Sequence, residues 1–264
     1  MSERKTELVI GQPIEVGTLQ SVSESILHQA ELRLPGYVCF TTAHMLVETL
    51  SHDDVHAAYA GARMILPDGV PVAWSLRALG HAGAECISGP RMTPTLLREA
   101  DQRGITVGFY GGRQGTLDKM TAALAQELPT LKVGYVCSPP FRTLTPEEQR
   151  PMLDEINAAG VQMLFVGLGS PKQDLWMLEN APHIHGTCLG VGAAFEFLSG
   201  EKFLPPLWIQ RLGLTWLVRL SQEPRRLIGR NLASPVFVFH FLRQRLLGTR
   251  YHHAPGSANQ RPSE

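Results

Sequence analysis

The feature that most limits how this chain folds is an alternation. Six short apolar runs stand out: YVCFT (37–41), ARMIL (62–66), ITVGFY (105–110), LKVGYV (131–136), VQMLFV (161–166) and HGTCLGV (185–191). Between them lie segments with helical spacing, at roughly 43–60, 70–80, 92–103, 114–127, 145–159 and 171–180. Continuous apolar runs suit strands buried on both faces, and strands that alternate with helices build βαβ units. The pattern predicts an α/β fold, a mostly parallel sheet with helices on both faces. With 264 residues, 44% of them hydrophobic, the chain is long enough for one such domain with an appendage and can bury its core.

In sheets of this kind ligands bind beyond the carboxyl ends of the strands. Three glycine-rich turns fall there: GFYGGRQG (108–115), VGLGSPKQ (166–173) and GVGAAFEF (190–197), which carry Gly111, Gly167, Gly169 and Gly192. A Rossmann-like sheet invites a dinucleotide, but that fingerprint needs G-x-G-x-x-G. Lys172 and Phe195 stand where the third glycine belongs, which argues against a nicotinamide-dependent oxidoreductase. A phosphate or nucleotide site remains, beside the plain alternative of tight turns that hold nothing. In VGLGSPKQD, Ser170 is a candidate N-cap and Pro171 suits a first helical turn. Such a start aims orphan N–H groups and the positive end of a helix dipole at an anion. Lys172 would add charge, and Gln173 both a donor and an acceptor; the alternative is that both are solvated helix-start residues.

ILPDGVPV places Asp68 where the second run ends, at the same ligand-facing edge. A carboxylate there can reach a substrate hydroxyl as general base, although Asp-Gly is also an ordinary turn pair. FTTAHMLVE ends the first run with Thr41 and Thr42, which either contact a ligand or cap the helix carrying His44.

After Gly200 the texture changes. Residues 1–204 read as the catalytic α/β domain, 205–250 as a basic helical appendage and 251–264 as a disordered tail. From Arg211 to Arg250 there are eight arginines against one acid, Glu223, a local charge of +7 in a chain whose formal charge is zero. That overall balance gives no field for nucleic acid. Arginine beside Trp208 and Trp216 suits an anionic interface or a diphosphate headgroup; the alternatives are a solvated face or a contact within a homo-oligomer. No window approaches the roughly 20 apolar residues of a spanning helix, and the opening MSERKTELVIGQP is too polar for a signal peptide. The four cysteines, 39, 86, 137 and 188, form no CxxC pair and read as free thiols in a reducing cytoplasm rather than a zinc site.

Taken in order, DGVPVAWSLRALG, ISGPRM, GFYGG, SPPF, INAAGVQMLFVGLGSPKQDLWM, GVGAAFEFLSG and WIQRLGLTWLVRLSQEPRRL resemble the WecG/TagA/CpsF family, glycosyltransferases of family 26, from about Tyr37 to Phe241. The resemblance implies inverting, metal-independent transfer of a sugar from a UDP-sugar to a polyprenyl-diphosphate-linked saccharide, on the inner face of the cell membrane. Such products feed cell-surface polysaccharides, and no Asp-x-Asp motif is present to hold a cation. It further implies that Asp68 is the general base. Thr41, Thr42, Gly111, Gly167, Gly169, Ser170, Lys172, Gln173 and Gly192 would face the donor. Arg91, Arg211, Arg219, Arg225 and Arg226 would face the lipid diphosphate. Two places depart from the family pattern: Thr42 stands for an asparagine, and Cys86 and Arg91 stand for an arginine and an acid. These departures keep a second reading in view, a non-catalytic membrane-associated component of a polysaccharide assembly complex.

Overall fold

A computed structural model describes residues 5–142, 144–203, 233–249 and 251. Two short strands, β1 (Thr6–Val9) and β2 (Gln12–Glu15), form an antiparallel hairpin. The helix α1 (Leu19–Glu31) follows, started by a capping box between Thr18 and Ser21. The main sheet comprises β3 (Gly36–Thr41), β4 (Met64–Pro67), β5 (Val107–Gly111), β6 (Val133–Cys137), β7 (Met163–Gly167) and β8 (Thr187–Gly190). These six strands are the six apolar runs. Every pairing among them is parallel, in the order β4-β3-β8-β7-β5-β6.

The connecting helices are α2 (Ala43–Ser51), α3 (Asp53–Ala60), α4 (Val70–Ala78), α5 (Gly89–Arg103), α6 (Gln114–Glu127), α7 (Pro146–Ala158), α8 (Lys172–Asn180) and the short α9 (Ala194–Leu198). A further helix, α10 (Ala233–Leu247), belongs to the expected appendage. Because successive strand residues point to opposite faces, every strand of the main sheet but β6 feeds two cores; β6, at the sheet edge, packs only Tyr135 and Cys137 inward. Tyr37, Cys39, Ile65, Val166 and Cys188 pack with α2, α3, α4, α7, α8 and α10. Val38, Phe40, Leu66, Phe109, Phe165 and Leu189 pack with α1, α5, α6 and α9. This two-sided burial is why the other five strands read as unbroken apolar runs.

Three details differ from the expectations. The single helix expected over 43–60 breaks at His52, whose extended backbone (φ −129°, ψ 111°) ends α2 and starts α3. Asp53 and Asp54 then sit in a first turn, where the helix dipole favours negative charge. Second, α8 begins at Lys172 with Pro171 as its cap residue, so Ser170 does not cap it. The Ser170–Pro171 peptide is cis, and the Ser170 hydroxyl is instead held by the Gln173 side chain at 3.2 Å. Third, α10 joins the core through Phe237 and Phe241, both buried, with Phe241 edge-on to Trp74 at 5.9 Å. Among the described residues no helix is long and apolar enough to cross a membrane.

Candidate active site

Six parallel strands end on one edge, and the turns beyond them carry most of the side chains singled out above. A cleft of about 460 Å³ opens over the ends of β5, β7 and β8. Gly112 and Arg113 line it from one turn, Gly167, Leu168, Gly169 and Lys172 from the next, and Gly192 and Glu196 from the third. Tyr110 and Trp176 stack at 4.5 Å along its wall, and Phe141, 82% exposed, stands at the β6 side. Three cationic side chains, Arg113, Arg142 and Lys172, against the carboxylates of Glu179 and Glu196, with an aromatic wall and glycine turns, make a surface suited to a nucleoside diphosphate.

The glycines of the turns answer chiefly to packing. A Cβ on Gly111, whose φ is +110°, would lie 2.7 Å from the carbonyl carbon of Gly167. A Cβ on Gly167 would lie 2.5 Å from the ring of Phe195. The β5 and β7 turns therefore touch backbone to backbone, with the Phe195 ring beneath.

Gln173 behaves differently from a ligand contact. It is 2% exposed, and its Oε1 accepts the N–H groups of Gly169 and Gly192, each at 3.1 Å. Its Nε2 donates to the carbonyl of Gly190 and to Ser170. The side chain is thus spent in tying the β7 and β8 turns together, and it takes up the Gly169 and Gly192 N–H groups that a phosphate was expected to meet. Beneath it Asp174 is fully buried; burial, and after it the neighbouring Asp174, holds the thiol of Cys39 and the phenol of Tyr59 well above their ordinary ranges.

Asp68 lies at the end of β4, half-buried, outside the lining of the 460 Å³ cleft but on the same sheet edge. Its N–H donates to the carbonyl of Thr41 at 2.8 Å. From β4 to β7 is three strand spacings, roughly 14 Å at the usual interval between neighbours. Thr42 caps α2, accepting the Met45 N–H at 3.3 Å, while Thr41 is fully buried in the floor between β3 and α2. Arg91, at the start of α5, donates to the carbonyl of Cys86 at 2.7 Å, and the Cys86 sulfur accepts the N–H of Gly69 at 3.2 Å. The β8 turn links the two halves, because a Cβ on Gly89 at the α5 start would lie 2.5 Å from the carbonyl oxygen of Val191.

Sequence reasoning missed Arg113, Tyr110, Trp176 and Phe141 as cleft residues. Their signals were present: Arg113 sits inside the GGRQG turn, and Trp176 lies one helical turn past Lys172. Arg211, Arg219, Arg225, Arg226 and the tail of residues 252–264 lie outside the described residues. Among the described residues no cluster of three histidine, cysteine, aspartate or glutamate side chains is placed to hold a metal ion.

Over residues 8–251 the sequence matches the family model described as "Glycosyl transferase WecG/TagA/CpsF family", nearly the whole chain. A Rossmann-like parallel sheet with a carboxylate at one end of its ligand edge and a basic, aromatic cleft at the other fits that match. The chain belongs to the WecG/TagA/CpsF family and is a glycosyltransferase of cell-surface polysaccharide synthesis.

Proposed function

We propose that the chain is an inverting, metal-independent transferase that moves a hexosyl or N-acetylhexosaminyl group from a UDP-sugar to a polyprenyl-diphosphate-linked saccharide. The observation that carries this reading is the placement of Asp68 on the same sheet edge as the basic cleft, three strands away. The nucleotide occupies the cleft, with its diphosphate toward Lys172 and Arg113 and its base toward Trp176 and Phe141. The sugar then extends along the edge toward β4.

In the transfer, Asp68 takes the proton of the acceptor hydroxyl as that oxygen attacks the anomeric carbon. The new C–O bond forms on one face while the bond to the diphosphate breaks on the other, and UDP leaves with the electron pair. One displacement through an oxocarbenium-like state inverts the centre. Charge building on the leaving diphosphate is met by Lys172 and Arg113. Since Gly169 and Gly192 give their N–H groups to Gln173, these cations carry more of that task.

The acceptor's lipid fits the C-terminal side. On α10, Phe239, Leu242, Leu246 and Leu247 are exposed, and Trp74 of α4 is 51% exposed close by. Apolar side chains of this kind, next to a sequence with a local charge of +7, suit the inner face of an anionic membrane. The four arginines 211, 219, 225 and 226 are assigned to the lipid diphosphate and Arg91 to the acceptor side of the site.

The test is UDP release from a panel of UDP-sugars with a short-chain lipid-diphosphate acceptor. Asp68→Asn should lower turnover by about 10² to 10⁴, the range for loss of a general base. Full turnover in that variant removes Asp68 from the base role, and no turnover with any donor favours the non-catalytic component.

A further inference from the structure

The peptide units on both sides of Asp68 are held by a segment far from it in sequence. The N–H of Ile87 donates to the carbonyl of Pro67 at 2.8 Å, and the N–H of Gly69 donates to the Cys86 sulfur at 3.2 Å. Cys86 and Ile87 therefore grip the residue before Asp68 and the residue after it. Gly69 has φ +103°, and its N–H direction sets how the chain leaves the aspartate for α4.

The gripping segment is itself anchored. Glu85 N–H donates to Gly17 at 3.1 Å, and the Glu85 carboxylate accepts the Leu19 N–H at 3.2 Å. Arg77 donates to the Ala84 carbonyl at 2.9 Å, Arg91 to the Cys86 carbonyl at 2.7 Å, and His81 pairs with Glu7 at 2.7 Å. A sulfur in this frame has little room to move away from Gly69.

The charged surroundings of that sulfur are Asp68 at the end of β4, Arg77 on α4 and Arg91 on α5; the phenol of Tyr59 on α3 also feels the Asp68 charge. Burial and then Asp68 push the Cys86 thiol up to about 11, against the Gly69 N–H and the two arginines. Near neutral pH it is an uncharged S–H group.

We propose that Cys86 is a positioning residue for the general base: its sulfur holds the Gly69 N–H and, with the Ile87 N–H on Pro67, fixes the direction in which Asp68 faces the acceptor. This rests on the base role proposed for Asp68. Cys86 itself touches no substrate.

The experiment compares Cys86→Ala and Cys86→Ser with the wild-type protein in the UDP-release assay across pH. Removing the sulfur acceptor should lower kcat about tenfold, the kinetic equivalent of one lost hydrogen bond, with donor KM nearly unchanged. The acid limb of the kcat/KM profile should move, and serine, which keeps an acceptor, should restore most of the rate. A second arm needs no turnover: the pH dependence of Cys86 alkylation by iodoacetamide, read by mass spectrometry of the modified peptide. Asp68→Asn should lower the thiol's apparent pKa, because the adjacent negative charge is gone. Wild-type turnover and pH profile in Cys86→Ala, in an enzyme that Asp68→Asn silences, overturns the positioning role and leaves the base standing. Serine no better than alanine assigns the loss to packing and overturns it as well, as does a thiol pKa indifferent to Asp68→Asn. Retained turnover in Asp68→Asn strikes instead at the base itself.

Discussion

The side-chain oxygen of Gln173 accepts the backbone N–H of Gly192 at 3.1 Å, across 19 residues of sequence, and so locks the β8 turn to the start of α8. With the parallel bond to Gly169 and the donation to Gly190, one buried amide organises two of the three turns that line the cleft. Gln173→Ala leaves the part-buried N–H groups of Gly169 and Gly192 and the buried carbonyl of Gly190 without their partner. The expected cost is about 2–4 kcal/mol of folding stability together with a raised donor KM. Urea unfolding and donor titration of the UDP-release rate check both. A stability unchanged from wild type would show that the two turns hold without the amide.

Gly111 and Gly167 make a second, steric prediction. Gly167→Ala drives a methyl group toward the buried Phe195 ring at 2.5 Å and should cost about 1–3 kcal/mol, the usual range for overpacking against a side chain. Gly111→Ala should cost more. Its methyl group meets the backbone of Gly167 at 2.7 Å, and its φ of +110° is one that L side chains rarely adopt. The order of the two midpoints in urea is the measurement, and a reversed order contradicts the backbone-to-backbone contact.

Cys188 supplies a pH dependence. Burial on β8 pushes its thiol up to about 12 from an ordinary 9.0. Between those values the unfolded chain has lost a proton that the folded chain keeps, so stability falls as pH rises above 9 and continues to fall toward 12. Below 9 the group contributes no slope. Cys188→Ala should therefore flatten the alkaline loss relative to wild type, while any packing cost stays constant with pH. Unfolding free energies at about pH 8 and about pH 10.5 give the comparison.

Phe241 tests whether α10 is part of the body. It is buried, edge-on to Trp74 and stacked with Phe237 at 6.3 Å. Phe241→Ala should cost about 3–5 kcal/mol, the usual penalty for a buried aromatic ring. A cost below 1 kcal/mol would mean that the helix docks only loosely.

Five of the six strands were legible because burial on both faces leaves an apolar run whatever the order of strands in the sheet; β6 carries such a run with Val133 and Val136 exposed. The order itself was not, since nothing in YVCFT or HGTCLGV names its neighbour. The helix α1 escaped because Ser21, Ser23 and Ser25 dilute its stripe, although Val22, Ile26 and Ala30 keep the spacing. The hairpin of β1 and β2 escaped because its residues lie in a polar opening stretch, with Gly11 the only turn signal. The place of Asp68 at the end of β4 was readable from the apolar run before it. Gln173 was readable as a residue with a donor and an acceptor, but sequence does not say which way an amide turns, and this one turns inward. Cys86 carries no local signal, because its partner Gly69 lies 17 residues away and meets it only when α4 folds between them.

The amide of Gln244 on α10 accepts the N–H of Ile10 at 2.6 Å and donates to the carbonyl of Leu8 at 2.6 Å, bridging 234 and 236 residues. The hairpin of β1 and β2 thus finds a partner 234 residues further along the chain. Until residue 244 has emerged, the hairpin tip and the α2 and α4 surface that receives Phe237 and Phe241 stay uncovered on the nascent chain. Synthesis at about 5–20 residues per second leaves that apolar surface bare for tens of seconds.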